Sequence, residues 1–157
     1  MKKALIVMTV VLLAVCLTGI PVYAKAQQAS FYNEGFGINK TIPGSEGKVI
    51  INLPKGDVGM VAQGMVRNLE LNTPYYVYLW AHYDTSWYTG TEATWLDSWA
   101  KFATITTNAA GHANFHINID ADDLTTGSYD ISVWIDEAET PGSVTVLVSY
   151  EITVNIP

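Results

Sequence analysis

Ala113, Asn114, Phe115, His116, Ile117, Asn118, Ile119 and Asp120 form the stretch that decides the fold class, because apolar and polar residues alternate there without a break. Successive side chains of a strand point to opposite faces. Phe115, Ile117 and Ile119 therefore share one face, and Asn114, His116, Asn118 and Asp120 share the other. One buried face and one wet face is the pattern of an antiparallel sheet packed on one side. Just upstream, Asn108, Ala109, Ala110 and Gly111 supply turn chemistry after a β-rich run at residues 102–107, so the two runs read as a hairpin. Tyr129, Ile131, Val133 and Ile135 repeat the alternation downstream.

Working outward, residues 49–53 are a short run closed by Pro54, and residues 58–68 follow the turn at Lys55, Gly56 and Asp57. Residues 75–82 are apolar on both faces, which leaves open whether Leu79 or Trp80 points inward. Residues 144–156 complete the series, with a break near Tyr150. The total is about seven strands, and no segment after the first 24 residues carries apolar side chains at helical spacing. Leu69 precedes Tyr75 with Thr73 and Pro74 between them, and Leu124 precedes Tyr129 with Gly127 between them. Both spacings resemble the corner of immunoglobulin and fibronectin type III domains, where a leucine plugs the core and a tyrosine caps the next strand. The resemblance covers residues 48–157 and implies an all-β, immunoglobulin-like antiparallel β-sandwich of about seven strands. The chain departs from antibody domains in lacking paired cysteines.

Upstream of the strands, Lys2 and Lys3 precede an apolar run at residues 4–17, and Val22, Tyr23 and Ala24 lead to a cleavage point. That is the layout of a signal peptide over residues 1–24, too short to span a bilayer as a helix. The mature chain then starts at Lys25, or at Gln27 if Ala24, Lys25 and Ala26 form the site. Cys16 at the end of the apolar run admits a rival lipoprotein signal, although Val15 is branched where a small residue is wanted. It is the only cysteine, so cleavage after Ala24 leaves none for disulfides, zinc or nucleophilic chemistry. Removing Lys2 and Lys3 leaves six basic residues against fifteen acidic ones, a balance of −9. No Lys or Arg follows Lys101. Such a surface repels phosphate backbones and anionic headgroups, which argues against nucleic acid or membrane as partner. Residues 25–47, rich in glycine, read as an irregular leader with one short strand near Phe31. Secreted or periplasmic localisation in a bacterium is the expectation.

The segment from His82 to Trp99 is dense in rings and carboxylates, and Tyr83, Trp87, Tyr88 and Trp95 are its candidate ligand-binding residues. Flat rings beside short carboxylates suit stacking on sugar faces or burying a partner's apolar side chain. The competing reading is that these rings close one end of the domain, as large aromatics usually pack inside. Asn118, Asp120, Asp122 and Asp123 invite a calcium reading, but lack the loop spacing of an EF-hand, and Asx turns explain them without metal. His112 and His116 on one strand stand about 13 Å apart, too far for a shared ion. No nucleophile elbow, phosphate loop or HExxH pattern is present. The expectation is a non-catalytic module without cofactor or metal that binds or scaffolds an extracellular glycan or protein. The alternatives are a small glycosidase-like enzyme using Asp84, Glu92 and Asp97, or a self-assembling surface subunit whose leader donates a strand.

Overall fold

The computed structural model describes residues 26–32, 38–39, 41–54, 57–82, 87–89, 99–140 and 144–157, without the side chains of 38–39 and 99–101. Residues 1–24, expected to be a signal peptide, and Tyr83 and Trp95 lie outside the described residues. The described residues form ten strands: β1 (Gln27–Tyr32), β2 (Ile38–Asn39), β3 (Glu46–Asn52), β4 (Val58–Arg67) and β5 (Pro74–Ala81), then β6 (Trp99–Thr106), β7 (Ala113–Asp120), β8 (Gly127–Asp136), β9 (Val144–Ser149) and β10 (Ile152–Ile156). A single 3₁₀ turn at Ala121–Asp123 joins β7 to β8. Among the described residues no helix is long and apolar enough to cross a membrane.

The all-β reading holds, whereas the strand count and closure differ from a seven-strand sandwich. The sheet runs β6-β5-β8-β9-β1-β3-β4-β7, with β10 beside β8 and β2 beside β9. All pairings are antiparallel except the two-residue β2, which lies parallel to β9. β1 makes the difference. Its residues Gln27 to Ser30 pair with β3, and Phe31 and Tyr32 pair with Ser149 and Val148 of β9. One strand thus joins two layers, called here sheet A (β1, β3, β4, β7) and sheet B (β6, β5, β8, β9, β10), into a nearly closed barrel. Leader residues covering the β9 edge also shield main-chain groups that would otherwise invite aggregation.

The barrel is filled by alternate residues of its longer strands. Val49 and Ile51 of β3, Met60, Ala62 and Val66 of β4, and Phe115, Ile117 and Ile119 of β7 meet Val77 and Leu79 of β5 and Ile131, Val133 and Ile135 of β8. Leu79 therefore points inward and Trp80 outward. Gly64 faces this core because Phe115 opposes it across the β4–β7 ladder, and a Cβ there would meet the Phe115 ring at 2.4 Å.

At the first corner Leu69 and Tyr75 are both buried, whereas at the second Leu124 is only half-buried beside the buried Tyr129. Tyr75 is fully buried, and its hydroxyl accepts a hydrogen bond from the Glu70 N–H at 3.1 Å. Tyr129 donates its hydroxyl to the Thr126 carbonyl at 3.4 Å. Asn68 and Asn72 bracket the first corner in left-handed conformations, which asparagine tolerates better than most residues. The turn between β6 and β7 docks on the same corner: the Leu69 N–H donates to the Gly111 carbonyl at 3.1 Å. Gly111 has φ 73°, and a Cβ there would lie 2.3 Å from the Leu69 oxygen, so only glycine fits.

That docking corrects the expected hairpin. The Asn108 N–H still donates to the His112 carbonyl at 2.9 Å, closing the turn. The strands then part, β6 pairing with β5 and β7 with β4, so the turn carries the chain from one layer to the other. Turn chemistry is the same for both outcomes, and what separates them is the pull of longer ladders on either side.

Candidate functional site

Ladder registers place the outward side chains of sheet B in rows across the strands. Tyr76, Asp136 and Thr145 form one row, and Tyr78, Trp134, Val148 and Tyr32 the next. Trp80 and Ser132 begin a third. These positions alternate with the core residues of the same strands, yet most are not wet. Tyr78, Trp134 and Val148 are buried and form a second apolar cluster against which Tyr32, Tyr76 and Trp80 pack. Ser132, Asp136 and Thr145 are buried beside them.

Part of the cover comes from the connection after β8. The Tyr78 hydroxyl donates to the Glu139 carbonyl, fastening that connection to the face. Burial raises the Tyr78 phenol well above its ordinary range, and the nearby Asp136 and Glu139 carboxylates push the same way. Trp134 donates its indole N–H to Ser132 Oγ at 2.7 Å, so its one polar group is satisfied inside the cluster.

Toward the other end the same face opens. Trp80 meets Trp134 edge to face at a centroid distance of 5.7 Å, and the His82 ring at 4.8 Å. His82 Nδ1 lies 3.2 Å from a Glu151 carboxylate oxygen. Tyr32 and Tyr150 stack at 4.7 Å with planes tilted by 33°, and Tyr150 is 60% exposed. Tyr150 owes its position to a bulge between β9 and β10. There Ser149 Oγ accepts the Val133 N–H at 2.9 Å, a bond that a regular ladder would take from main chain. The result is a half-open aromatic strip ending in a histidine and a carboxylate. It can offer flat apolar area together with hydrogen-bond acceptors.

The ring-rich segment behaves differently where it is described. Trp87 and Tyr88 are 0% and 4% exposed, and both pack on Phe102, at 6.3 and 5.1 Å between ring centroids. Main-chain bonds hold them there: Thr125 N–H to the Trp87 carbonyl at 3.0 Å, and Thr89 N–H to the Asp123 carbonyl at 2.9 Å. As placed, these two rings pack at the end of the barrel, Trp87 fully inside it and Tyr88 with one edge on a small groove. Tyr32, Trp80 and Tyr150 are the residues that sequence reasoning missed. Tyr76, Tyr78 and Trp80 at every second position of a run already known to be apolar on both faces were the available signal.

The acidic stretch lies elsewhere. Asp120 ends β7, and Asp122 and Asp123 sit in the 3₁₀ turn. A small groove of about 220 Å³ runs past Tyr88, Phe102, His116, Asn118, Asp120 and Asp123 along the open side between β6 and β7. Among the described residues no three His, Cys, Asp or Glu side chains converge as metal ligands. No family model matches the chain, and no curated protein matches it in sequence.

Proposed function

We propose that this chain is an exported, non-catalytic module that binds or scaffolds an extracellular glycan or protein on the outer aromatic face of sheet B. The observation that carries the reading is the stacked pair of half-buried Tyr32 and exposed Tyr150 at the open end of a face that is otherwise a packed aromatic cluster. Rings half out of water beside His82 and Glu151 supply stacking area with polar groups at its margin, the combination that sugar faces and peptide side chains both use. Tyr32 and Trp80 stand on strand ladders, and His82, Tyr150 and Glu151 lie in the short connections directly beside them. On the sequence argument alone, Tyr83 and Trp95 stay candidate contact residues.

Export rests on the dibasic, apolar, small-residue pattern of residues 1–24. The mature balance of −9 favours neutral or cationic partners over nucleic acid. In the same reading the barrel is a fibronectin type III-like variant. The order β3-β4-β7 facing β6-β5-β8-β9 supports that likeness, as does the Tyr129 hydroxyl bonded back to Thr126.

An array of neutral glycans probed with the wild-type chain and with Tyr150→Ala tests the proposal. The expected outcome is binding by the wild type that falls about tenfold or more in the variant, as for an exposed aromatic anchor. Equal binding by the two proteins would remove this surface from consideration.

A further inference from the structure

A second surface, distinct from the aromatic strip and independent of it, lies where β1 and β10 separate. The Tyr150 N–H donates to the Ser30 carbonyl at 3.1 Å, and beyond that bond the two strands splay. The wedge between them has a volume of about 680 Å³ and is lined by Ala26, Gln27, Gln28, Ile51, Leu53, Val154 and Asn155. None of these side chains is charged, in a chain whose balance is strongly acidic.

The main chain on both banks faces the wedge. On β1, the Ser30 carbonyl already points toward β9 and β10, so Gln28, two residues earlier, presents its N–H and C=O on the same side. On β10, Thr153 stands opposite Asp130, whose carbonyl is taken on its far side by the His82 N–H at 2.8 Å. That makes Asp130 and Thr153 a pair that does not exchange ladder bonds, and Thr153 and Asn155 turn their main-chain groups away from β8 into the wedge. The Gln27 side-chain amide donates to the Thr153 carbonyl. A side-chain amide thus occupies a position that a neighbouring strand's N–H would fill.

We propose that this wedge takes an extended peptide segment of a partner protein, paired antiparallel along β10, uncharged and apolar at every second residue. Main-chain groups at two-residue spacing recognise an extended backbone and little else. Leu53 is the half-buried apolar residue of the wall, with Ile51 and Val154 buried behind it, and Gln27, Gln28 and Asn155 form an amide rim; no charged side chain is among the described lining residues.

The test is a titration of the ¹⁵N-labelled chain with the peptide acetyl-Thr-Val-Ser-Val-Thr-amide, followed by NMR. The Thr153 and Asn155 amides should shift, and their hydrogen exchange should slow by about tenfold or more. The same peptide with N-methylated valines should have no effect. Unmoved Thr153 and Asn155 amides at millimolar peptide, or an equal response to the methylated peptide, would overturn the proposal. So would shifts that follow protein concentration without peptide, which would make a second copy the occupant. Asn155→Pro removes one N–H facing the wedge while sparing the bonds to β8, and should abolish the response. If that variant does not fold, Gln27→Ala vacates the Thr153 carbonyl and should bind the peptide more tightly, and unchanged or weaker binding would count against the proposal.

Discussion

The outer faces of the two sheets differ in kind, although both sheets bury the same core. On sheet A, β7 alternates buried and exposed without exception, and Asn114, His116, Asn118 and Asp120 stand in water. On sheet B, β8 is buried at every residue from Ile131 to Asp136, and its outward side chains Ser132, Trp134 and Asp136 lie under cover. One face ends the molecule and the other begins a second layer. Apolar area on an outer face needs a cover, and where the cover stops, at Tyr32 and Tyr150, a partner can replace it.

The sharpest way to break this contrast is to remove the ring at the centre of the covered face. Trp134→Ala should cost about 3–5 kcal/mol in denaturant unfolding, as large aromatic deletions in cores do. Asn118→Ala, equally outward but on sheet A, should stay within about 0.5 kcal/mol. A cost below about 1 kcal/mol for Trp134→Ala would mean that the outer face of sheet B is no second core.

A smaller effect is expected at the fastening of the cover. Tyr78→Phe loses the bond to the Glu139 carbonyl and should cost about 1 kcal/mol at neutral pH. Its pH dependence has a definite sign. The folded phenol holds its proton more tightly than the unfolded one, whose pKa is the ordinary 10.0, so raising the pH above that value favours unfolding. Wild-type stability should therefore fall more steeply than that of Tyr78→Phe on the alkaline side. Parallel alkaline profiles would show that the Tyr78 phenol is not held in its neutral form by the fold.

Smaller still is the corner on the inner side of the same sheet. Tyr129→Phe should cost about 0.5–1 kcal/mol, at the weak end for a hydrogen bond because its bond to Thr126 is long. Tyr75→Phe, with the shorter bond to Glu70, should cost more than Tyr129→Phe. The reverse order would mean that the corner tyrosines owe their stability to ring packing and not to the hydroxyl.

Alternation made β7 and the inner half of β8 legible in the sequence, and turn residues located most strand ends. In the leader the short strand expected near Phe31 is β1, but its reach back to Gln27 and its pairing with both β3 and β9 were not legible, because Gln27 to Tyr32 carry little pattern of their own. The parting of β6 from β7 was equally hidden, since a turn does not specify which ladders its strands join. Within the candidate site the sequence marked Trp87 and Tyr88 by local density of rings, and density is also what closes the end of a barrel. Tyr32 and Tyr150 escaped because they are distant in the chain and meet only after β1 crosses between layers and a bulge turns Tyr150 outward.

The contrast between the faces is tested most directly by one paired measurement, thermal unfolding and neutral-glycan binding on Tyr150→Ala beside His116→Ala. Both side chains are exposed, one on each sheet, so both variants should melt within a few degrees of wild type, as surface substitutions do. Binding should be lost in Tyr150→Ala and kept in His116→Ala. Binding kept in Tyr150→Ala, or lost equally in both variants, would contradict the assignment of the contact surface to sheet B.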